Sequence, residues 1–441
     1  MADLEFEAPK AASLKKADFI NKEIEYSNFR YMFGGLDLSG ARSSFVKGSS
    51  FIDPTSSAKY STVRIRCFML FQFATSLAST TFNMMEFSAI SSVVASIFDV
   101  DSVVVNFAVM VYLFAFVLFN FASISAIEFS TKWTFKTCAI ANIIGSWGKW
   151  FALYATSNFY YLLVVQTFLA CFQPFLGNGA SKVATVWFGD DERAMATAVG
   201  SLSNPLGCII GLVLGPYFVP ESDKFHENVE AGKKAVIYYM FAAAWITTAM
   251  NICTVIFFEE KPPSFPSESA ENSTKIKFSM KQDAKDLLKN KNYLLLLISF
   301  SLMYGVYACL GAVINNLVEP YGFDSADAAS FGAIFILSGL VGSFSFSANL
   351  DKHGNYIKCL RVATFGTLVL ACLLIGALQT ENVYLVSLNI GLLGAFVLPI
   401  IPVGYSFAVK ASHPVSEVMS TGSMMLVGQL AGVLSTIIAS N

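Results

Sequence analysis

The sequence predicts an all-α integral membrane protein, a bundle of two pseudo-symmetric six-helix halves in which the last helix of the second half is missing. Three observations carry this. Of the 441 residues 55% are hydrophobic and 14% charged, whereas an ordinary soluble domain carries about 25% charged residues. Apolar stretches long enough to cross a bilayer, at roughly 20 residues each, recur along the chain between short polar turns. The run from Gly177 to Val219 shows the plan most clearly. A charged turn, Asp190, Asp191, Glu192 and Arg193, joins two uncharged helix-length segments, and Gly207, Gly211 and Gly215 follow at four-residue steps on one face. Such a face lets another backbone approach closely in lipid.

Taken in order, residues 1–64 lack the apolar core of a signal peptide and are rich in Ser, Gly, Lys and Glu. A largely disordered cytoplasmic tail is expected, with the FRYMFGG patch, Phe29–Gly35, as a candidate docking element. Spans are predicted near 65–91, 103–127, 134–156, 158–182, 193–218, 235–258, 293–316, 328–349, 359–380, 383–407 and 418–440. Lys and Arg concentrate in cytoplasmic loops. One side of this arrangement collects Arg64, Arg66, Lys132, Lys182, Arg193, the lysines between 261 and 291, Lys352, Lys358 and Lys410. The other has Lys224, Lys233 and Lys234. The N-terminus is therefore expected in the cytoplasm and the first helix to run outward.

The stretch 259–292 divides the spans into an N-terminal half, 65–258, and a C-terminal half, 293–441. It opens with Pro262, Pro263 and Pro266 and continues as KFSMKQDAKDLLKNKNY, with Met280, Leu287 and Leu288 among charges. A short amphipathic helix on the inner membrane surface is expected there. Six helices, a charged linker and further helices form the layout of a major facilitator superfamily transporter, whose halves rock about a central site. The second half supplies five spans, so a truncated or incomplete product is expected. After the eighth span, ANLDKHGNYIKCLR carries Asp351 and Lys352 where the superfamily has its acid-then-base latch. The equivalent loop after the second span keeps Glu128. These are the gating candidates.

Charges inside spans point to the site. A carboxylate within a membrane helix costs several kcal/mol unless paired, hydrated or protonated, which singles out Glu86. By three- and four-residue spacing, Asn83, Glu86, Phe87 and Ile90 share a face that could present an acid, an amide and an aromatic ring to a cationic or amine-bearing solute. Glu86 could equally carry a coupling proton, or reach water from the outer end of its helix. Lys149 is the second internal charge. It could pair with Glu86, as an outer gate or a charge-compensated site, or reach the interface between Trp147 and Trp150. Gln166, Gln173, Asn204, Asn315, Asn316, Asn389 and Gln429 could each bind solute or tie helices together.

Other function classes are poorly served. HExxH, a nucleophile elbow and a phosphate loop are all missing. The histidines, His226, His353 and His413, fall in separate loops. The eight cysteines lie in or beside apolar spans without CxxC spacing and read as packing residues. No basic tract is interleaved with aromatics as nucleic-acid binding would need. The reading is a monomeric, non-enzymatic membrane protein without metal or cofactor, whose partners are a small solute and the lipid bilayer.

The segments WFGDDERAMATAVGSLSNPLGCIIGLVLGPYFV, GSWGK (Gly145–Lys149), FEEKP (Phe258–Pro262), GLVGSFSFSANLD and PVGYSFAVKASHPVSE resemble the feline leukaemia virus subgroup C receptor-related solute carriers. The likeness runs from about residue 60 to 441. It implies alternating-access transport of a small polar solute, either facilitated or coupled to an ion or proton. Members move choline, ethanolamine or haem-associated cargo, and a sister lysosomal branch is linked to pyridoxine, so plasma and endolysosomal membranes are both implied. The choline-transporting members enclose the ammonium between a first-helix tryptophan and a seventh-helix tyrosine. Those positions fall here on Met84 and Ala308, with Tyr307 adjacent. The fifth-helix glutamine becomes Pro205, and the eleventh-helix glutamine is kept as Gln429. The implied solute-contacting set is Asn83, Met84, Glu86, Phe87, Gln173, Tyr307 and Gln429. Alternatives are a non-transporting receptor or scaffold that kept the fold, and a haem-related exporter.

Overall fold

In lipid every backbone N–H and C=O must be satisfied within the protein, as in a helix or a closed barrel, and the regular elements among the described residues are helical. The computed structural model describes residues 64–156, 158–219, 229–275, 278–323 and 325–440; the Phe29–Gly35 patch lies outside them. The N-terminal half comprises α1 (Ile65–Met85), α2 (Ser91–Phe98), α3 (Ser102–Phe129), α4 (Thr131–Thr156), α5 (Phe159–Gly177), α6 (Ala180–Trp187), α7 (Arg193–Phe218) and α8 (Val229–Phe257). The linker carries α9 (Glu268–Ser273) and α10 (Met280–Lys289). The C-terminal half comprises α11 (Lys291–Val318), α12 (Ser325–His353), α13 (Tyr356–Leu378), α14 (Val383–Val397), α15 (Ile400–Ser412) and α16 (Glu417–Ser440).

Among the described residues nine spans are long and apolar enough to cross a membrane, with α5–α6 and α14–α15 each counted as one span. Helices α1 and α4, which fall in the two other expected spans, are more polar, and much of that polarity is buried inside the bundle. The halves repeat one packing scheme. The first span lies on the fifth, the second on the fourth and the third on the fourth: α1 on α7, α3 on α5, α4 on α5, and correspondingly α11 on α16, α12 on α14, α13 on α14. Across the halves the second span of each meets the fifth of the other, α3 on α16 and α12 on α7.

The glycine steps on α7 make the first–fifth contact. An added Cβ at Gly211 would stand 2.9 Å from the Phe82 carbonyl oxygen, and one at Gly215 3.1 Å from that of Glu86; at Gly207 it would run into Ala78 and Thr81. Backbone therefore lies against backbone along the whole seam.

Three expected helices differ. The first stops at Met85, and after Glu86 and Phe87 a short 3₁₀ turn, Ser88–Ile90, leads into α2. The span expected at 158–182 breaks at Asn178–Gly179, four residues after Pro174. The span expected at 383–407 breaks at Leu398–Pro399. Proline removes a backbone donor and interrupts the helical ladder. In the linker helix α10, Asp283 and Leu287, one turn apart, are buried against the protein, while Leu288 is 70% exposed.

Candidate functional site

Helix α1 presents Ser76, Ser79, Thr80 and Asn83 to the interior of its own half, where all four are buried. Two polar stripes meet them. On α4, Asn142, Ser146 and Lys149 recur at four- and three-residue steps; on α8, Thr247, Asn251 and Thr254 do the same. Asn142 Nδ2 donates to Thr80 Oγ1 at 2.8 Å, Asn251 Nδ2 to Ser79 Oγ at 2.7 Å, and Ser76 shares a hydrogen bond with Thr254 at 2.8 Å. Asn83 sits at the hub. Its Nδ2 donates to the Ser79 carbonyl and to Thr247 Oγ1, and its Oδ1 accepts from Ser146 Oγ and Lys149 Nζ at 2.9 Å each.

The structure brings Glu86 and Lys149 together: Lys149 Nζ pairs with Glu86 Oε1, their side chains 1% and 0% exposed. From α5, Gln166 Nε2 donates to the Asn83 carbonyl at 2.8 Å, and from α8 the Tyr239 hydroxyl donates to the Glu86 carbonyl at 3.3 Å. Burial of two charges is offset by their attraction and by the bonds that hold Lys149. Glu86 therefore does not reach water, nor does Lys149 extend between Trp147 and Trp150 to the interface. All described partners of the pair belong to the N-terminal half, so among the described residues it is charge-compensated within one wall.

The expected shared face does not extend past Glu86, because α1 has already ended. Phe87 turns into the apolar cluster of α2, α4 and α8 and meets Phe159 edge-on, ring centroids 5.8 Å apart. Met84 packs on Tyr112, Leu169 and neighbours between α3 and α5. The Tyr112 hydroxyl and Glu86 Oε2 are both buried without a hydrogen-bond partner among the described residues.

A second cluster joins the halves at the lysine-rich end. Lys182 Nζ on α6 lies 3.0 Å from Glu128 Oε2 at the foot of α3 and 3.4 Å from Glu417 Oε2 on α16. Ser416 Oγ donates to Glu128 Oε1 at 2.6 Å, and Ser181 shares a 2.8 Å bond with Thr421. Asp351, near the end of α12, accepts from the backbone N–H of Ala194 and Met195 at 2.8 Å each. It thus covers first-turn donors of α7 that have no intrahelical partner, where the helix dipole also favours an anion. Lys352 is exposed and takes no part in that cap. The two acids are counterparts: each closes the second span of its half and reaches the N-terminal end of the other half's fifth span.

Sequence reasoning missed Ser416 and Glu417 and counted Lys182 only as a loop cation. One signal was available, a serine placed just before an apolar run. Ser416 Oγ does accept from Met419 N at 3.2 Å, as an N-cap should.

Toward the middle of the bundle the C-terminal half presents rings. Tyr307 meets Tyr304 edge-on at 5.5 Å and stacks on Phe335 at 6.3 Å, and Phe300 stacks on Tyr304 and Tyr405. Gln173 on α5 is buried with Oε1 unpartnered, as is Asn389 with Oδ1, and Gln429 on α16 is half-buried. None of these bonds to the Glu86–Lys149 pair. The side chains of Asn315 and Asn316 lie outside the described residues.

Two repeated helical lobes tied by ion pairs and helix caps at one end, with buried amides and stacked rings between, define a multi-pass, non-enzymatic membrane transporter. The chain belongs to the Major Facilitator Superfamily, whose family model matches residues 70–436. Among curated relatives it is 29% identical over 380 residues to the choline/ethanolamine transporter flvcr2a of Danio rerio, covering 85% of this chain and 80% of that one. It is 27% identical over 366 residues to the choline/ethanolamine transporter FLVCR1 of Felis catus, covering 81% of this chain and 64% of the relative's length. Among solved structures, the E. coli fucose:proton symporter FucP superposes with a TM-score of 0.64 at 13% identity, covering 85% of this chain and 90% of that one, which is a likeness of fold.

Proposed function

We propose that this protein moves a small amine-bearing or cationic organic solute across its bilayer by alternating access, with its N-terminus in the cytoplasm. Choline and ethanolamine are the leading candidates, because the relatives above are named for them. The observation that carries the reading is where the halves are tied. The described polar ties between halves, Lys182 with Glu417, Ser181 with Thr421 and Asp351 with the start of α7, sit at the lysine-rich end. A transporter held shut there admits its solute from the opposite side.

The solute's ammonium would be held by ring faces rather than by a carboxylate, since Glu86 is already neutralised by Lys149. Tyr307, beside Tyr304 and Phe335, supplies that surface, and Gln173 and Gln429 supply hydrogen bonds. Met84 and Ala308, which stand where choline-transporting relatives carry aromatic residues, would loosen the enclosure. With its internal acid compensated, facilitated diffusion is the favoured mode. In proteoliposomes, saturable uptake of one of labelled choline, ethanolamine or pyridoxine is expected, competed by the unlabelled compound, reduced by Tyr307→Ala and unchanged by an imposed pH gradient. Flux that stays linear with concentration for all three would refute the reading.

A further inference from the structure

We propose that the groove between the outer-facing ends of α4 and α8 is a binding site for a membrane phospholipid with an anionic headgroup. The groove has a volume of about 480 Å³ and is lined by Trp150 and Tyr154 of α4 and by Glu230, Lys233, Lys234, Ile237, Tyr238 and Phe241 of α8. It lies at the end of the bundle opposite the linker, because α4 begins beside the linker-proximal Glu260 and ends near Tyr154.

The register of the two helices builds an amphiphile template. On α8, Lys233, Ile237 and Phe241 follow at four-residue steps, and Lys234 and Tyr238 form the adjoining row, so each row starts with an ammonium near the end of the span and continues as apolar surface into it. On α4, Trp147, Trp150 and Tyr154 recur at three- and four-residue steps and face those rows. Trp147 meets Trp245 at 5.4 Å, Trp150 meets Phe241 at 5.6 Å, and Trp150 stacks on Tyr154 at 5.3 Å. The wall is fixed from behind, where Trp147 Nε1 donates to Thr248 Oγ1 at 3.0 Å.

Aromatic side chains at interface depth are general in membrane proteins. What marks this groove is the charge above it. Lys233 and Lys234 make no ion pair among the described residues, in contrast to Lys149 and Lys182, and among the described lining residues the two lysines face one acid, Glu230. A phosphodiester at the height of the lysines, with its acyl chain along Ile237, Phe241 and Trp150, satisfies both the charge and the apolar wall.

The site can be read by its own fluorescence, since Trp150 lines it and Trp147 and Trp245 pack next to Trp150 and Phe241. The full chain carrying Trp133→Phe, which removes the exposed indole at the linker end, is reconstituted in phosphatidylcholine with rising fractions of brominated phosphatidylglycerol or, in parallel, brominated phosphatidylcholine. Quenching by the anionic lipid is expected at roughly fivefold to thirtyfold lower mole fraction, the range that one to two uncompensated lysines supply at a membrane surface. Lys233→Gln with Lys234→Gln should bring the two curves together, Lys233→Arg with Lys234→Arg should keep them apart, and Glu230→Gln should widen the gap. Coincident curves for the two lipids before any lysine is changed, or a gap that survives the glutamine pair, would overturn the proposal.

Discussion

Removing one member of the Glu86–Lys149 pair should cost far more than removing both. In Lys149→Met, Glu86 stays fully buried, and the only side-chain donor to its carboxylate among the described residues is gone, with Oε2 already unpartnered. Breaking a buried pair in this way costs about 3–5 kcal/mol. Asn83 Oδ1 loses the Lys149 bond but keeps Ser146, a smaller loss of about 1 kcal/mol. Glu86→Leu strands the ammonium instead, with Asn83 as its remaining acceptor. The double variant Glu86→Leu/Lys149→Met leaves no orphaned charge, and replacing a buried ion pair with apolar groups of similar size is often neutral or stabilising. It should therefore lie within about 1–2 kcal/mol of the parent. Denaturant titration in detergent, followed by the monodisperse fraction on size exclusion, gives the three stabilities. A coupling of about 3 kcal/mol or more is expected; losses that add to within about 0.5 kcal/mol would show that the two side chains do not depend on each other.

Three further outcomes follow from other parts of the bundle. Gly211→Val places branched carbons where a Cβ alone already stands 2.9 Å from the Phe82 carbonyl; folded yield should fall sharply, and Gly211→Ala should lose about 1–3 kcal/mol in the same titration. Lys182→Gln leaves Glu128 and Glu417 facing each other without their shared cation, so the lysine-rich end should open: maleimide labelling of Ser181→Cys, in a chain with the exposed Cys67 and Cys372 replaced by serine, should speed up several-fold, and an unchanged rate would contradict the tie. In the linker, burial raises the Asp283 carboxyl above its ordinary range, an effect opposed by the backbone N–H groups of Ser416 and Ser279 and reinforced by Glu128 and Asp286. An acid raised on folding binds its proton more tightly in the native state, so its contribution to stability is full below the ordinary carboxylate range and is lost as pH rises through the raised value. Asp283→Asn should flatten that stretch of the stability–pH curve; a slope that persists would assign it to another group.

Much of the architecture was legible because lipid enforces length and pattern. The spans stood out by composition and the close contact made by α7 by the four-residue recurrence of Gly207, Gly211 and Gly215, while the meeting of Glu86 with Lys149 was one of two readings open for each charge, beside reaching water or the interface. What could not be read was anything that depends on partners far apart in the chain. Glu417 and Lys182 are 235 residues apart, and nothing local says that a glutamate opening the eleventh span will face a lysine closing the fourth. Glu260 is similar: its carboxylate accepts from Ser130 Oγ at 2.7 Å and from the Thr131 and Lys132 backbone N–H groups, yet in sequence it looks like one more linker charge. The fate of Phe87 was lost for a local reason, since extending α1 past Glu86 put on one face residues that the turn sends to different places.

The glycine seam has a mechanical consequence. With the carbonyls of Phe82 and Glu86 lying against Gly211 and Gly215, α1 and α7 have little freedom to slide or swivel independently. Any stroke of the machine must carry them as one strut, so the flexing has to happen where the two lobes abut and along the connector between them.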